Sequence, residues 1–282
     1  MAERLSISDS FELYRLDFIS FKNQSKKTEE NHNICGRSLI SFCGDIMIED
    51  LDFQTIREWK QHLERERSPA TVRNYVIKLR VVLAFCYKRG LKVVDPDTVP
   101  VPKRVQTVPT WLTHDEVAQM IDAARELRTK LVISLLYSSG IRLSELISLN
   151  RNDIRDSRFT VVGKGGKARL CFIDQRTETL LNKYLKTRTD KNAVLIYSRI
   201  GTRMKATNIQ VMIRDVAEKA RIDRKVTPHT LRHSYATNFL KNNGNMRYLS
   251  TMLGHSSLDT TAMYAHVVDN DLEAQYRLYH ST

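Results

Sequence analysis

The chain has 282 residues, of which 41% are hydrophobic and 27% charged, a composition typical of folded proteins and not of disordered ones. No apolar run approaches the roughly 18 residues that a membrane helix needs, and the first residues lack a signal-peptide core. We therefore expect a cytoplasmic protein with no membrane partner. The formal net charge of +13 implies a polyanionic partner, for which nucleic acid is the commonest choice.

The first 94 residues carry helical patterns of apolar side chains. The clearest pattern begins with Ser68 as N-cap and Pro69 at the first helical position, and it ends at Gly90. Three weaker patterns precede it, over Phe11–Ile19, Thr28–Phe42 and Ile56–Leu63. The sequence therefore predicts a four-helix domain over residues 1–94.

Residues 95–110 contain four of the six prolines, at Pro96, Pro100, Pro102 and Pro109. Each proline ring removes a backbone donor and pushes the preceding residue toward extended geometry. We interpret the segment as a semi-rigid linker between two domains.

Basic side chains in and beside these regions could contact the phosphates of a duplex. The candidates are Arg73, Lys78, Arg80, Lys103, Arg104 and, in the following domain, Lys167. For each of them the alternative is an ordinary solvated surface cation.

Residues 111–282 predict a second domain, mainly α-helical with one small β-hairpin. Thr113 and Glu116 form a capping box that begins a helix. Two short β-type runs, Phe159–Val162 and Ala168–Ile173, flank the glycine-rich turn Gly163–Lys167. Helical patterns then resume and continue toward Tyr279. The four cysteines have no CxxC spacing, so we expect reduced thiols and neither a zinc site nor disulfides.

Five residues of this second domain form a set suited to one phosphate group. Arg142 follows a Ser-Gly turn at the start of a helix, where anions are attracted, and Glu145 can reach back to hold its guanidinium. His229 and Arg232 share one helix face because they are three residues apart. Tyr264 would be the nucleophile, since nearby cations can help a phenol ionise.

Each of these features is weak evidence when taken alone. An Arg–Glu pair three apart is a common helix-surface pair, and Tyr264 is one of eleven tyrosines. His229 and His233 have the spacing of a zinc-binding helix, but the glutamate of that motif is missing and an arginine lies between them. The set therefore has to be judged by the order of its motifs along the chain.

Four motifs stand in one order along the second domain. They are Ser-Gly-Ile-Arg142-Leu-Ser-Glu145-Leu, Val-Gly-Lys164-Gly-Gly-Lys-Ala-Arg-Leu, Thr-Pro-His229-Thr-Leu-Arg232-His233-Ser-Tyr, and Leu-Gly-His255-Ser-Ser followed by Thr-Thr-Ala-Met-Tyr264. In this order they resemble the tyrosine recombinase, or phage integrase, family, and most closely its small Xer-like members. The resemblance implies two domains, an N-terminal helical core-binding domain and an α-rich catalytic domain.

The resemblance also implies a role for each motif residue in site-specific cutting and rejoining of double-stranded DNA. Tyr264 would attack a phosphodiester to form a 3′-phosphotyrosyl link, while Arg142, Arg232 and His255 stabilise the transition state. His229 would accept the tyrosyl proton, and Lys164 would donate a proton to the leaving oxygen. Glu145 would support Arg142, and no metal or other cofactor would be needed.

Family members act as tetramers through a Holliday junction, and their C-terminal segment docks on a neighbouring subunit. The resemblance therefore implies a homotetramer on DNA in which Leu272, Tyr276 and Leu278 lie in the docking segment. The sequence leaves open whether the biological task is chromosome dimer resolution, integration or inversion. Two alternatives also stay open: a type IB-like topoisomerase, and an accessory DNA-binding protein without catalysis.

Overall fold

The computed structural model describes residues 4–20, 26–104, 110–163, 166–198 and 200–254. The chain divides into two compact units, Met1–Thr107 and Val108–Thr282. Lys164, His255 and Tyr264 lie outside the described residues, as does the whole predicted C-terminal docking segment. Within the described ranges, no helix combines the length and the apolar character needed to cross a membrane.

The first unit is the predicted four-helix domain. Its helices are α1 (Ile7–Tyr14), which continues as a π-helical segment (Arg15–Ser20), α2 (Lys26–Cys43), α3 (Phe53–Glu66) and α4 (Pro69–Lys88). Ser68 caps α4 as predicted, with Pro69 in its first turn. The core forms around Trp59, which is fully buried together with Leu39, Leu79 and Leu83.

The proline-rich segment begins as part of this first unit. Pro96–Thr98 forms one turn of 3-10 helix, and both Pro96 and Val99 are buried. Val99 belongs to the hydrophobic core of the four helices, and Val101 packs against it. The linker prediction considered only the prolines. The apolar side chains of Val99 and Val101 pack on the helices and hold residues 96–101 against the first unit.

Where the structure describes it, the second unit is helical apart from one hairpin. Its elements are α5 (His114–Ala123), α6 (Leu127–Ser139), α7 (Leu143–Ser148), β1 (Arg158–Val162), β2 (Ala168–Phe172), α8 (Gln175–Lys186), α9 (Ala206–Lys219), α10 (Pro228–Lys241) and α11 (Met246–Leu253). Helix α6 is the centre of the core, since Leu131, Val132, Ile133 and Leu135 are all fully buried. A helix with buried residues around most of its circumference is typical of a core position.

The hairpin is antiparallel, with Val161 opposite Arg169 and Phe159 opposite Cys171. These four side chains are the buried ones, because alternate residues of a strand point to opposite faces. The outward face of β2 carries Leu170, which is exposed. Strand β2 therefore departs from the usual pattern at Arg169, a charged residue that points inward next to the buried Cys171.

Helix α6 ends at Gly140 in the left-handed conformation, with φ of 61°. A Cβ on this glycine would lie 2.5 Å from the ring of Tyr235 on α10. The lack of a side chain at Gly140 therefore permits both the turn that follows α6 and the close packing of α10 against it.

We predict that Gly140→Ala destabilises the second unit more than Gly166→Ala. Gly166 also has a positive φ, of 77°, but a Cβ there would meet nothing within 4 Å. Gly166→Ala should lower the free energy of unfolding by about 1–2 kcal/mol through backbone strain alone. Gly140→Ala should add about 1–3 kcal/mol for the clash with Tyr235. Urea denaturation measures both, and equal losses would contradict the packing argument.

Candidate active site

Arg142 is placed by the turn that joins α6 to α7. After Gly140, the buried side chain of Ile141 anchors the chain, and Arg142 becomes the N-cap residue of α7 with extended backbone angles. Its backbone N–H donates to Oε2 of Glu145 at 2.7 Å, and its Nη1 donates to Oε1 at 3.0 Å. The same carboxylate thus caps the helix and fixes the direction of the guanidinium.

Glu145 also binds a second arginine. Arg169 on β2 donates from Nη1 to Oε1 and from Nη2 to Oε2, each at 2.7 Å. The carboxylate therefore accepts four hydrogen bonds, which is about the full capacity of its lone pairs. Glu145 and Arg169 are both buried, with side chains 6% and 7% exposed, while the Arg142 side chain is 36% exposed.

The carboxylate of Glu145 is ionised at neutral pH. Burial by itself would raise its pKa, but the hydrogen bonds from Arg169 and from Arg142 outweigh burial, and the pKa lies below the ordinary value. A permanent negative charge therefore sits between two guanidinium groups.

Arg232 is held by two backbone carbonyls from different elements. It lies on α10, is buried, and donates from Nη1 to the oxygen of Gly140 at 2.5 Å and from Nη2 to the oxygen of Leu253 at 2.7 Å. The end of α6 and the end of α11 are thus joined through one side chain.

Three arginines converge on the C-terminus of α11. Gly254 caps this helix in the left-handed conformation, with φ of 62°. The three successive carbonyls at the helix end accept from guanidinium groups: Met252 from Arg169 at 2.8 Å, Leu253 from Arg232 at 2.7 Å, and Gly254 from Arg142 at 3.4 Å. Cations suit this position because the last carbonyls of a helix lack helical partners and carry partial negative charge.

His229 lies in the first turn of α10, one turn before His233. The two rings meet edge to face, with centroids 4.2 Å apart. The His229 side chain is exposed to solvent, but neighbouring residues still bury part of its imidazole ring. This burial, followed by the charges of Arg232 and Arg142, lowers the pKa of the imidazole below its ordinary value. His229 is therefore neutral at pH 7 and able to accept a proton.

The hairpin brings its glycine turn against the same arginines. A Cβ on Gly163 would lie 3.5 Å from Nη1 of Arg169 and 3.7 Å from Nη1 of Arg142. The turn is closed by a hydrogen bond from the Gly163 N–H to the Lys167 carbonyl at 2.9 Å. Lys164 is the next residue after Gly163 in the chain.

Charge and geometry make this cluster a site for an anion. Three guanidinium groups and one carboxylate leave a surplus of two positive charges. Guanidinium groups stay protonated and can bind two oxygens of a phosphate at once. A neutral imidazole beside them adds a proton acceptor.

The structure brings together four of the residues that the sequence selected: Arg142, Glu145, His229 and Arg232. The sequence reasoning missed Arg169, which it quoted in a motif without giving it a role. The available signal was the two-residue period of β2, which places a charged side chain on the inward face next to Cys171. A buried arginine implies a buried acidic partner.

Five of the six candidate DNA-contacting residues lie in the first unit, and Lys167 closes the hairpin turn next to this cluster. Arg73, Lys78 and Arg80 are half-buried on α4, and Arg80 already pairs with Asp97 at 2.8 Å. Lys103, Arg104 and Lys167 are exposed. Contact of these six residues with DNA stays a prediction.

Two family models match the chain. The model of the phage integrase family matches residues 110–271, and the model of the phage integrase SAM-like domain matches residues 16–99. The first match includes every residue of the anion site and the positions of Lys164, His255 and Tyr264.

Curated relatives agree with the family models. The tyrosine recombinase XerD of Halalkalibacterium halodurans is 31% identical, over 80% of this chain and 81% of the relative. The tyrosine recombinase XerC of Alcanivorax borkumensis is 31% identical, over 77% of this chain and 76% of the relative.

Solved structures share the fold. The crystal structure of XerA recombinase is 26% identical with a TM-score of 0.55, covering 97% of this chain and 99% of that one. A lambda integrase dimer bound to a COC′ core site has a TM-score of 0.79 at 16% identity, covering 93% and 77%. The chain therefore belongs to the phage integrase family, and it is a Xer-like site-specific tyrosine recombinase.

Proposed function

We propose that the chain cuts and rejoins double-stranded DNA through a 3′-phosphotyrosyl link to Tyr264. The observation that supports this most strongly is the convergence of Arg142 and Arg232 on the end of α11, one and two residues before His255. His229 lies within electrostatic reach of both arginines. The cluster therefore combines phosphate-binding cations with a neutral base.

In the proposed cleavage step, the phenolic oxygen of Tyr264 attacks the phosphorus and the bond from phosphorus to O5′ breaks. His229 takes the phenolic proton, and the ammonium group of Lys164 gives a proton to the departing O5′. Arg142, Arg232 and His255 bind the two non-bridging oxygens, on which negative charge builds up. The products are a 3′-phosphotyrosine and a 5′-hydroxyl, and the reverse reaction rejoins the strand without an added energy source.

The partner in this proposal is a specific recombination site on double-stranded DNA. A solved lambda integrase tetramer is bound to a Holliday junction, and solved XerH is bound to its difH substrate. By analogy, we propose a homotetramer of this chain on two duplexes, associated with the nucleoid in the cytoplasm, with the segment around Leu272 and Tyr276 docked on a neighbouring subunit. Arg73, Lys78, Arg80, Lys103, Arg104 and Lys167 would contact phosphates.

We predict that the protein forms a covalent adduct with a nicked suicide DNA substrate in the presence of EDTA. The nick lets the short 5′-hydroxyl strand diffuse away, which traps the phosphotyrosine on a denaturing gel. Tyr264→Phe should abolish the adduct while leaving DNA binding intact, because only the attacking oxygen is lost.

Tyr248→Phe is the matched control, since it makes the same change at an exposed tyrosine on α11 of the same unit, and this variant should form the adduct. Cleavage that depends on added divalent metal would contradict the proposal. Relaxation of supercoils without strand transfer between two DNA molecules would favour a topoisomerase instead.

We predict that, on the acid side of the pH profile, the rate of adduct formation falls below the ordinary histidine value of pH 6.5. The base must be neutral, and the lowered pKa of His229 keeps it neutral to lower pH. Measured well below saturating DNA, the profile reports the free enzyme. His229→Gln should lower the rate by about 10²- to 10⁴-fold and remove the acid limb. An acid-side fall in rate centred above pH 6.5 would contradict this role. So would a fall that is the same in His229→Gln as in the wild type.

A further inference from the structure

Arg169 is a buried cation within the catalytic unit that the proposed chemistry does not use. Its side chain is 7% exposed, so it lies behind the surface that DNA would touch. It nevertheless binds two elements that surround the anion site. Its terminal nitrogens hold Glu145, and its Nε donates to the Met252 carbonyl at 2.8 Å.

These three hydrogen bonds fix the guanidinium in one orientation. The pair with Glu145 is bidentate, in the geometry that only arginine provides. The third bond attaches the same plane to the last turn of α11. A lysine at this position would have one nitrogen and could not span both partners.

Two glycines, Gly163 and Gly254, leave space for the Arg169 side chain because they carry no side chain of their own. A Cβ on Gly254 would lie 2.8 Å from Cδ of Arg169, which is closer than atoms pack. Gly163, before the predicted general acid, also approaches Nη1 of Arg169. The side chain therefore fills the space between the hairpin turn, the start of α7 and the end of α11.

We propose that Arg169 is a positioning residue for DNA cleavage, acting through the Glu145 carboxylate to aim Arg142 at the phosphate. With Arg169 in place, Glu145 is held from one side and can orient Arg142 from the other. Without it, the carboxylate loses two of its four hydrogen bonds and turns toward Arg142 and solvent. Arg142 then shifts from the position at which it binds the phosphate, and the cleavage rate falls.

This role predicts a loss in the chemical step and not in DNA affinity. Displacing a catalytic group by about 1 Å can cost about 100-fold in rate, so we expect Arg169→Met to lower single-turnover cleavage at saturating DNA by about that factor. The Kd for DNA and its salt dependence should stay close to wild type, because a buried arginine releases no counterions on binding.

Arg158→Met is the matched control. Arg158 lies on β1 of the same hairpin, its side chain is 62% exposed, and its ion pair with Asp156 is 3.9 Å long. The substitution removes the same charge from the same sheet, and the cleavage rate should remain that of the wild type.

Arg169→Lys serves as a second variant if Arg169→Met does not fold. It keeps the charge and most of the aliphatic stem, so circular dichroism should show a folded protein, and the free energy of unfolding should fall less than in Arg169→Met. We still expect the cleavage rate to fall by about tenfold or more. Loss of a residue that orients a binding group through a hydrogen bond typically costs about 10- to 100-fold in activity. A role in stability alone would leave the rate of the folded Arg169→Lys protein unchanged.

A double-mutant cycle tests the route through Glu145. If Arg169 acts through this carboxylate, Arg169→Lys should reduce the rate far less in a Glu145→Gln background than in the wild type. Additive losses would overturn the proposal, as would a loss confined to Kd or a wild-type rate in Arg169→Lys. The proposal rests on the proposed cleavage activity. Absence of any adduct with the unmodified protein would therefore show that the function itself fails.

Discussion

The structure of the catalytic unit depends on one buried negative charge, the carboxylate of Glu145. A buried carboxylate is strongly unfavourable unless cations and hydrogen bonds replace its water. Here Arg142 and Arg169 supply all four hydrogen bonds, and they come from the turn after α6 and from β2. The hydrogen bonds to this carboxylate therefore hold two distant chain segments together. They meet beside the arginines that we propose bind the phosphate.

The ends of two helices complete this arrangement. The carbonyls of Gly140, at the end of α6, and of Leu253, at the end of α11, both accept from Arg232. Helix termini must find partners for such carbonyls in any fold. In this protein the partners are the arginines of the site, so the same hydrogen bonds that complete the helices also orient the proposed catalytic cations. Substitutions that disturb the helix ends should consequently affect stability and catalysis together.

Much of this could be predicted from the sequence because it depends on local spacing. The cap at Ser68, the glycine turn of the hairpin and the reach of Glu145 back to Arg142 all involve residues within a few positions of each other. The family resemblance predicted the remaining candidate catalytic residues, Lys164, His255 and Tyr264. The period of β2 signals that Arg169 points inward, but it does not identify the partners Glu145 and Met252, which lie 24 and 83 residues away in the chain. The packing of Val99 on the first unit was missed for the same reason, since proline content reports local stiffness and not tertiary contact.

The most direct test of the account is a crystal structure of the protein covalently bound to suicide DNA. The measured quantity is the distance from the guanidinium nitrogens of Arg142 and Arg232 to the non-bridging oxygens of the phosphate joined to Tyr264. The account predicts hydrogen-bond distances from both arginines, with Glu145 still bridging Arg142 and Arg169. A phosphotyrosine bound elsewhere, or a Glu145 carboxylate that has left Arg142 in the bound state, would contradict it.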